Sequence, residues 1–374
     1  MSKEIVIVGG GPVGLFMGIA LLEHGFSCTI LEQRKELISD TRSLGIHPVS
    51  LELFDQLNLT ETFLENGIKV FEGIAHTGKR LLGAVTFEQC PEPYNYILIN
   101  PQNETERILR DEFLKRSPSS YKTGIEVTHI QQGSDHVDVH YGENGHKKNL
   151  SADFVIGCDG KNSRVRQAIG IHYSGKRYPD TYIMGDFEDN TGLNSNAAVY
   201  LPAEGLIECF PLPGNKRRWV VKTDDYVNSP TAEQLSALVK GRIGHSIPVS
   251  TNSMLSSFGV QHLMAESFQK GRVFLVGDAA HVVSPIGGQG MNLGWLGAWN
   301  LALRFKNGTT EGYSTSHQVV VKKAAMRAEM NMKIGRKSRF PLFKETVLKG
   351  ILHSPLRHIL AKLFTMRGLD NWWV

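Results

Sequence analysis

The sequence predicts an α/β fold: a Rossmann-like parallel sheet assembled from separated stretches of chain, an inserted antiparallel β-sheet, and a C-terminal helical segment. Three observations predict it. A strand, a glycine-rich turn, a helix and a second strand open the chain within about 30 residues. Two short apolar runs far downstream, at 153–157 and 272–277, have the unbroken hydrophobicity of strands covered on both faces. The stretches between them alternate polar with apolar and are punctuated by Gly and Pro, the pattern of an antiparallel sheet.

Taken in order, EIVIV at 4–8 reads as a buried parallel strand. VGLFMGIALLEH at 13–24 reads as a buried helix closed by Gly25, and SCTILE at 27–32 as the next strand. Residues 101–116 place Ile108, Leu109 and Phe113 at helix spacing. Sheet-like runs fall at 69–78 and 95–99, and again at 181–189, 197–212 and 217–223, with Pro213-Gly214-Asn215 as a turn. A nucleotide-binding domain is therefore expected from 1–67, 101–172 and 271–320. A sheet domain is expected from 68–100 and 173–270, and a helical segment from 321–374.

The bulk numbers suit that plan. The 374 residues are 41% hydrophobic and 21% charged, with a mean hydropathy of −0.19, as in a soluble protein of two interwoven lobes. Cys28, Cys90, Cys158 and Cys209 are scattered without C-x-x-C spacing and read as reduced thiols. The apolar run before Gly9 is too short for a signal peptide, and no run reaches the ~18 apolar residues of a spanning helix. A cytoplasmic protein is expected. The histidines lack metal-ligand spacing such as H-E-x-x-H, so no metal is expected.

Gly9-Gly10-Gly11-Pro12-Val13-Gly14 satisfies G-x-G-x-x-G between a strand and a helix. Gly9 allows the tight turn, Gly11 lets backbone approach a pyrophosphate, and Gly14 lets helix and strand pack closely. The helix N-terminus adds unpaired N–H groups and a positive dipole end. Glu32, at the end of the second strand, is placed to accept hydrogen bonds from a ribose diol. These residues predict a dinucleotide without separating FAD from NAD.

Two more motifs narrow the choice: GCDGKNSRVRQAIGI at 157–171 and GRVFLVGDAAHVVSPIGGQGMNLG at 271–294. With the first glycine motif, in this order and at these separations, the sequence resembles the single-component FAD-dependent aromatic hydroxylases, the para-hydroxybenzoate hydroxylase-like monooxygenases, from the first strand to about residue 305. The resemblance implies a discontinuous Rossmann-like FAD-binding domain carrying an antiparallel substrate domain. Asp278 then faces the sugar-alcohol chain that FAD has and NAD lacks. Pro285, Gly288, Gly290, Met291 and Asn292 bring backbone N–H groups and a helix N-terminus to the flavin ring. The resemblance also places Arg42 at the FAD pyrophosphate and Gln102 beside the flavin, and gives Asp159 and Arg166 a part in handling FAD and NAD(P)H. Asp159 has an alternative reading as the cap of a helix starting near Asn162, with Arg166 paired to it. Gly297 departs from the acidic residue often found in the helix after the glycines.

The activity implied is a monooxygenase. NAD(P)H, bound transiently because there is no second G-x-G-x-x-G, reduces FAD. Reduced flavin adds O2 as a C4a-hydroperoxide and hydroxylates a small aromatic, quinol-like or similarly electron-rich substrate. Tyr182, Met184, Tyr200, Glu208, Phe210 and Trp219 are candidates to line the substrate pocket, and Tyr200 or His47 could deprotonate or orient a phenol. His281 reads as structural. A reductase or dehydrogenase of the same fold, or a non-catalytic FAD-binding protein, are the alternatives.

The net charge of +4 is uneven: from residue 321 onward 12 Lys/Arg stand against 3 Asp/Glu, and the rest carries 29 against 34. PLRHILAKLFTM at 355–366 puts Leu356, Ile359, Leu360, Leu363 and Phe364 on one face. Docking of that face on the body is the expectation, with peripheral contact to an anionic membrane as the alternative. The segment resembles the C-terminal segment of ubiquinone-biosynthesis hydroxylases. Nucleic acid is not an expected partner, since the basic residues lack interleaved aromatics.

Overall fold

A computed structural model describes residues 3–36, 43–78, 80–338 and 341–369; Arg42 lies outside these described residues. The first three elements form where expected: strand Glu4–Val8, helix Pro12–Glu23 and strand Ser27–Glu32. Pro12 suits the first helical turn, where its missing N–H has no intrahelical partner, and Gly25 beyond the end adopts φ +81°.

These strands lie in a six-stranded sheet ordered Gln269–Lys270, Val273–Leu275, Phe154–Gly157, Glu4–Val8, Ser27–Glu32, Tyr121–Thr123. The first pair is antiparallel and the others are parallel. Ile5, Val6 and Ile7 in the middle strand are wholly buried, which is why their run shows no alternation. A three-stranded antiparallel meander, Ile125–Gln132, Val137–Glu143 and His146–Ala152, lies within the stretch assigned to the nucleotide-binding domain.

The second large sheet has eight strands. Their order is His281–Val282, Met254–Ala265, Tyr173–Glu188, Lys216–Thr223, Ile207–Leu212, Ala197–Tyr200, Glu72–Thr77, Arg80–Thr86. All neighbours are antiparallel except Ala197–Tyr200 with Glu72–Thr77, the seam where two sequence-distant insertions meet. Gly214 and Asn215, with φ of +78° and +55°, make the tight turn between the strands Ile207–Leu212 and Lys216–Thr223.

Aromatic packing joins the helices around the first strand. Phe54 stacks on Phe63 at 4.5 Å and meets the edge of Trp295 at 4.8 Å, with Phe16 5.6 Å from Phe54. Trp295, on the helix Gln289–Lys306, donates its Nε1–H to the carbonyl of Pro12 at 3.1 Å. That bond fastens this helix to the glycine turn.

The C-terminal segment is helical, but helix Tyr313–Gly335 runs unbroken across the boundary expected at 320/321. Helices Pro341–Leu352 and Leu356–Phe364 pack on the hairpin strand Arg80–Thr86. The expected docking face splits. Leu360 and Phe364 join Leu82, Val85 and Phe87, whereas Leu356 and Ile359 are 50% and 55% exposed. Arg80–Thr86 is the edge strand of the sheet, and the part of the apolar face that does not lie on it stays exposed. Among the described residues no helix is long and apolar enough to cross a membrane, and no His/Cys/Asp/Glu group is arranged to hold a metal ion. Trp295→Ala should lower the stability to chemical denaturation by about 3–5 kcal/mol, through lost aromatic packing and the cavity left behind.

Candidate functional site

One cavity of about 1000 Å³ runs between the two large sheets, from the glycine turn to the face of the eight-stranded sheet. That is the upper end of the roughly 300–1,000 Å³ usual for one small ligand.

At the glycine end the three motif glycines serve different needs. A Cβ on Gly9, which has φ +103°, would lie 2.5 Å from the carbonyl oxygen of Cys158. One on Gly14 would lie 1.9 Å from the carbonyl oxygen of Gly9. Those two are required by protein packing. A Cβ on Gly11 would meet only the Arg34 guanidinium, at 3.9 Å. Gly11 instead leaves open the space in front of the helix N-terminus, where an anion is favoured.

Glu32 accepts the N–H of Gly10 at 2.6 Å and the Nε–H of Arg34 at 2.9 Å. Arg34 also bonds Glu106 at 2.9 Å. Asp159 accepts the N–H groups of Arg164 at 2.8 Å and Val165 at 3.1 Å through one oxygen. Its other oxygen is buried without a partner, and burial raises its pKa. Arg166 does not pair with Asp159. It donates to the carbonyls of Ala279 and Lys161, and lies 3.8 Å over the Tyr173 ring.

Asp278 projects from the turn Gly277–Ala279 and stands exposed on the cavity wall, below the general level of the protein surface. Burial pushes its pKa up to about 6. Pro285, Gly288, Gly290 and Met291 line the next stretch of wall. Gly288, with φ +65°, turns the chain so that helix Gln289–Lys306 starts at the cavity. Gln102, first in helix Gln102–Arg116, faces the same space and accepts the Ser43 N–H.

The open cradle at Gly11, two helix N-termini, a cavity-facing Asp278 and the orphaned Asp159 oxygen fit a dinucleotide with a sugar-alcohol bridge. A family model described as "FAD binding domain" matches residues 2–329. The chain belongs to the FAD-dependent aromatic hydroxylase family. It is 32% identical to rifampicin monooxygenase from Streptomyces venezuelae, over 80% of this chain and 63% of that protein. It is 29% identical to pentachlorophenol 4-monooxygenase from Sphingobium chlorophenolicum, over 80% and 57%. The chain thus spans less than two thirds of these curated relatives. Its fold matches p-nitrophenol 4-monooxygenase from Pseudomonas putida with a TM-score of 0.87, 21% identity and 99% of each chain covered.

Within this family fold, four of the expected site and pocket residues stand elsewhere. Asn292 is wholly buried and not on the cavity wall: its carboxamide donates to the carbonyls of Gly45 and Gly288 and accepts the His47 N–H. It braces the loop rather than facing a ligand. Tyr200 points away from the cavity because its neighbours Val199 and Leu201 point in, and alternate residues of a strand face opposite sides. It stacks between His76 and Trp219, and Trp219 stacks on His245. Trp219 faces away for the same reason, and Tyr182 lies buried under Phe258. Met184, Glu208 and Phe210 do line the cavity.

His47 reaches the wall, but its Nε2–H is given to the Gly287 carbonyl at 3.1 Å, and burial lowers its pKa to about 4. That makes it a positioning residue for the Gly287–Gly288 turn and a poor proton acceptor at neutral pH. Arg34, Lys161 and Arg218 also line the cavity and escaped the sequence reading. Arg218 stands directly across from Asp186, a register that the sequence alone does not show.

Two predictions follow from the glycine end. Gly14→Ala should prevent stable folding, whereas Gly11→Ala should fold and lose roughly tenfold or more in FAD affinity, read by flavin fluorescence titration. Asp278→Ala should lower the flavin content after reconstitution; unchanged content would remove Asp278 from the site. A third concerns pH. A carboxyl whose pKa is raised on folding destabilises the fold above that pKa, and the penalty is relieved as pH falls through it. Asp278→Asn should therefore raise the melting temperature of the FAD-free protein at pH 8. The gain should shrink below pH 6 and vanish near pH ~4, the ordinary carboxyl range.

Proposed function

We propose that the chain is an FAD-dependent monooxygenase that uses NAD(P)H and O2 to hydroxylate a small aromatic or similarly electron-rich substrate. The observation that carries this reading is the continuity of the cavity. Its dinucleotide end opens directly onto an apolar sheet face, with no wall of protein between them.

In this reading Glu32 holds the ribose diol, and Gly11 with the first helix N-terminus holds the pyrophosphate. Asp278 accepts the sugar-alcohol hydroxyls, and the helix beginning at Gln289 presents its N–H groups to the ring. Bound FAD supplies the electron transfer and the oxygen chemistry. The protein supplies a dry pocket: Met184, Val199, Phe210 and Val220 from the sheet, Leu206 from the turn before it, and Leu352 and Leu360 from the tail helices. Exclusion of water keeps oxygen transfer directed at the substrate.

NAD(P)H oxidation and O2 uptake, measured across phenols, quinol precursors and polycyclic aromatics, test the proposal. Uptake stimulated by one compound, with a product heavier by one oxygen, is the expected result. NAD(P)H oxidation without oxygen incorporation would make the chain a reductase of the same fold.

The outer face of the tail supports a location. Leu342, Phe343, Val347, Leu356 and Ile359 are exposed beside Lys349, Arg357 and Lys362. Such a face suits peripheral contact with an anionic lipid surface. Co-sedimentation with phosphatidylglycerol vesicles should fall on Leu356→Asp/Ile359→Asp and with added salt; no sedimentation at low salt would exclude it.

A further inference from the structure

The cavity-facing side of the eight-stranded sheet is laid out in cross-strand rows. One row reads Met184, Val220, Glu208, Val199, Ala75. Four of the five are apolar, and the fifth is a carboxylic acid near the middle of the sheet. Glu208 is only 9% exposed, and what remains open faces the cavity. Among the described residues no group hydrogen-bonds or ion-pairs with it. The nearest cation in the neighbouring row, Arg218, is engaged by Asp186 through two bonds, of 2.6 and 2.7 Å.

A buried carboxyl without a partner is costly, and native proteins seldom keep one without a use. Met or Leu would complete the row without that penalty. Burial alone pushes its pKa up to about 7, so near neutral pH it is close to half ionised. The missing partner must therefore come from whatever occupies the cavity.

Four kinds of partner are chemically open. An ammonium would require two desolvated ions facing each other in an apolar wall, where the desolvation penalty competes with their attraction. A carboxylate on the ligand would be repelled by ionised Glu208. A carbonyl acceptor would bind only the protonated acid, and would draw electrons from the ring that is to be attacked. A neutral hydroxyl on an aromatic ring has none of these defects. It donates to the carboxylate and gains electron density at oxygen, which the adjacent ring carbons share.

We propose that Glu208 accepts the hydrogen bond of a phenolic hydroxyl, and so selects neutral hydroxyarenes over aryl ethers and aryl carboxylates. This rests on the reading of the cavity as the pocket of an FAD-dependent hydroxylase. It narrows that reading to one substrate class and one anchoring atom.

The test uses FAD-reconstituted protein without NAD(P)H, so no turnover is needed. Equilibrium dialysis compares 2-naphthol with its ether, 2-methoxynaphthalene, on the wild type, Glu208→Gln and Glu208→Leu. The wild type should bind the naphthol about tenfold or more tightly than the ether, the scale of a hydrogen bond to a charged group. Glu208→Leu should abolish that preference by weakening the naphthol alone. Glu208→Gln, which keeps an acceptor oxygen, should retain part of it. Both variants remove a buried acid and should fold at least as well as the wild type, checked by their melting temperatures and flavin content. A wild type that holds the naphthol no better than the ether overturns the proposal, as does an equal loss of both ligands in Glu208→Leu. A chain that takes up no FAD overturns the cofactor reading and this one with it. A chain that takes up FAD but shows no hydroxyl preference overturns only the role of Glu208.

Discussion

The cavity exists because the first helix approaches the first strand more closely than any side chain would permit. The carbonyl of Gly9 sits where a Cβ of Gly14 would be, and the backbone of Cys158 sits where a Cβ of Gly9 would be. Three backbone segments, from strand, helix and neighbouring strand, are thereby in van der Waals contact at one point. The helix N-terminus is held over the carboxyl ends of the parallel strands, where ligands of open α/β sheets bind. Trp295 extends the constraint by bonding the Pro12 carbonyl, which seats the second cavity-facing helix against the first.

The second half of the site depends on a different constraint, the phase of the strands. In the eight-stranded sheet every second side chain faces the cavity, and cross-strand pairing aligns those choices into rows. One row carries Met184, Val220, Glu208 and Val199; the next carries Asp186 and Arg218. On the opposite face His76, Tyr200, Trp219 and His245 stack beside helix Ala232–Ile243. The sheet thus separates a face that meets ligand from a face that is ordinary core.

The dinucleotide half was legible in the sequence because its signals are local. Glycines at fixed offsets report backbone geometry that only glycine permits, and a strand-end acid needs no distant information to be placed. The sheet half was less legible because facing is decided by register. Tyr200 looked suited to a phenol by its chemistry, yet Val199 and Leu201 claim the cavity and exclude it. Asn292 lies in the right motif, but its carboxamide is consumed by Gly288, four residues away, and by His47 and Gly45, 245 and 247 residues away in the sequence. Glu208 was visible as a candidate, but its lack of a partner is a property of the folded surroundings. The tail showed its amphipathicity plainly. What it could not show was the sheet edge it meets, which leaves Leu356 and Ile359 uncovered.

The parallel seam between Ala197–Tyr200 and Glu72–Thr77 bears on how the chain reaches its folded state. Strands more than 100 positions apart in the chain must find each other in register before the sheet is complete, and closing such long loops is slow. During synthesis the hairpin formed by Glu72–Thr77 and Arg80–Thr86 emerges long before its partner strand, and longer still before the helices that cover Leu82, Val85 and Phe87. Through that interval a hairpin with one apolar face stands unprotected, the kind of surface on which intermediates associate. The wall that closes the substrate half of the cavity is thus also the shield that arrives last for the most exposed edge of the nascent sheet.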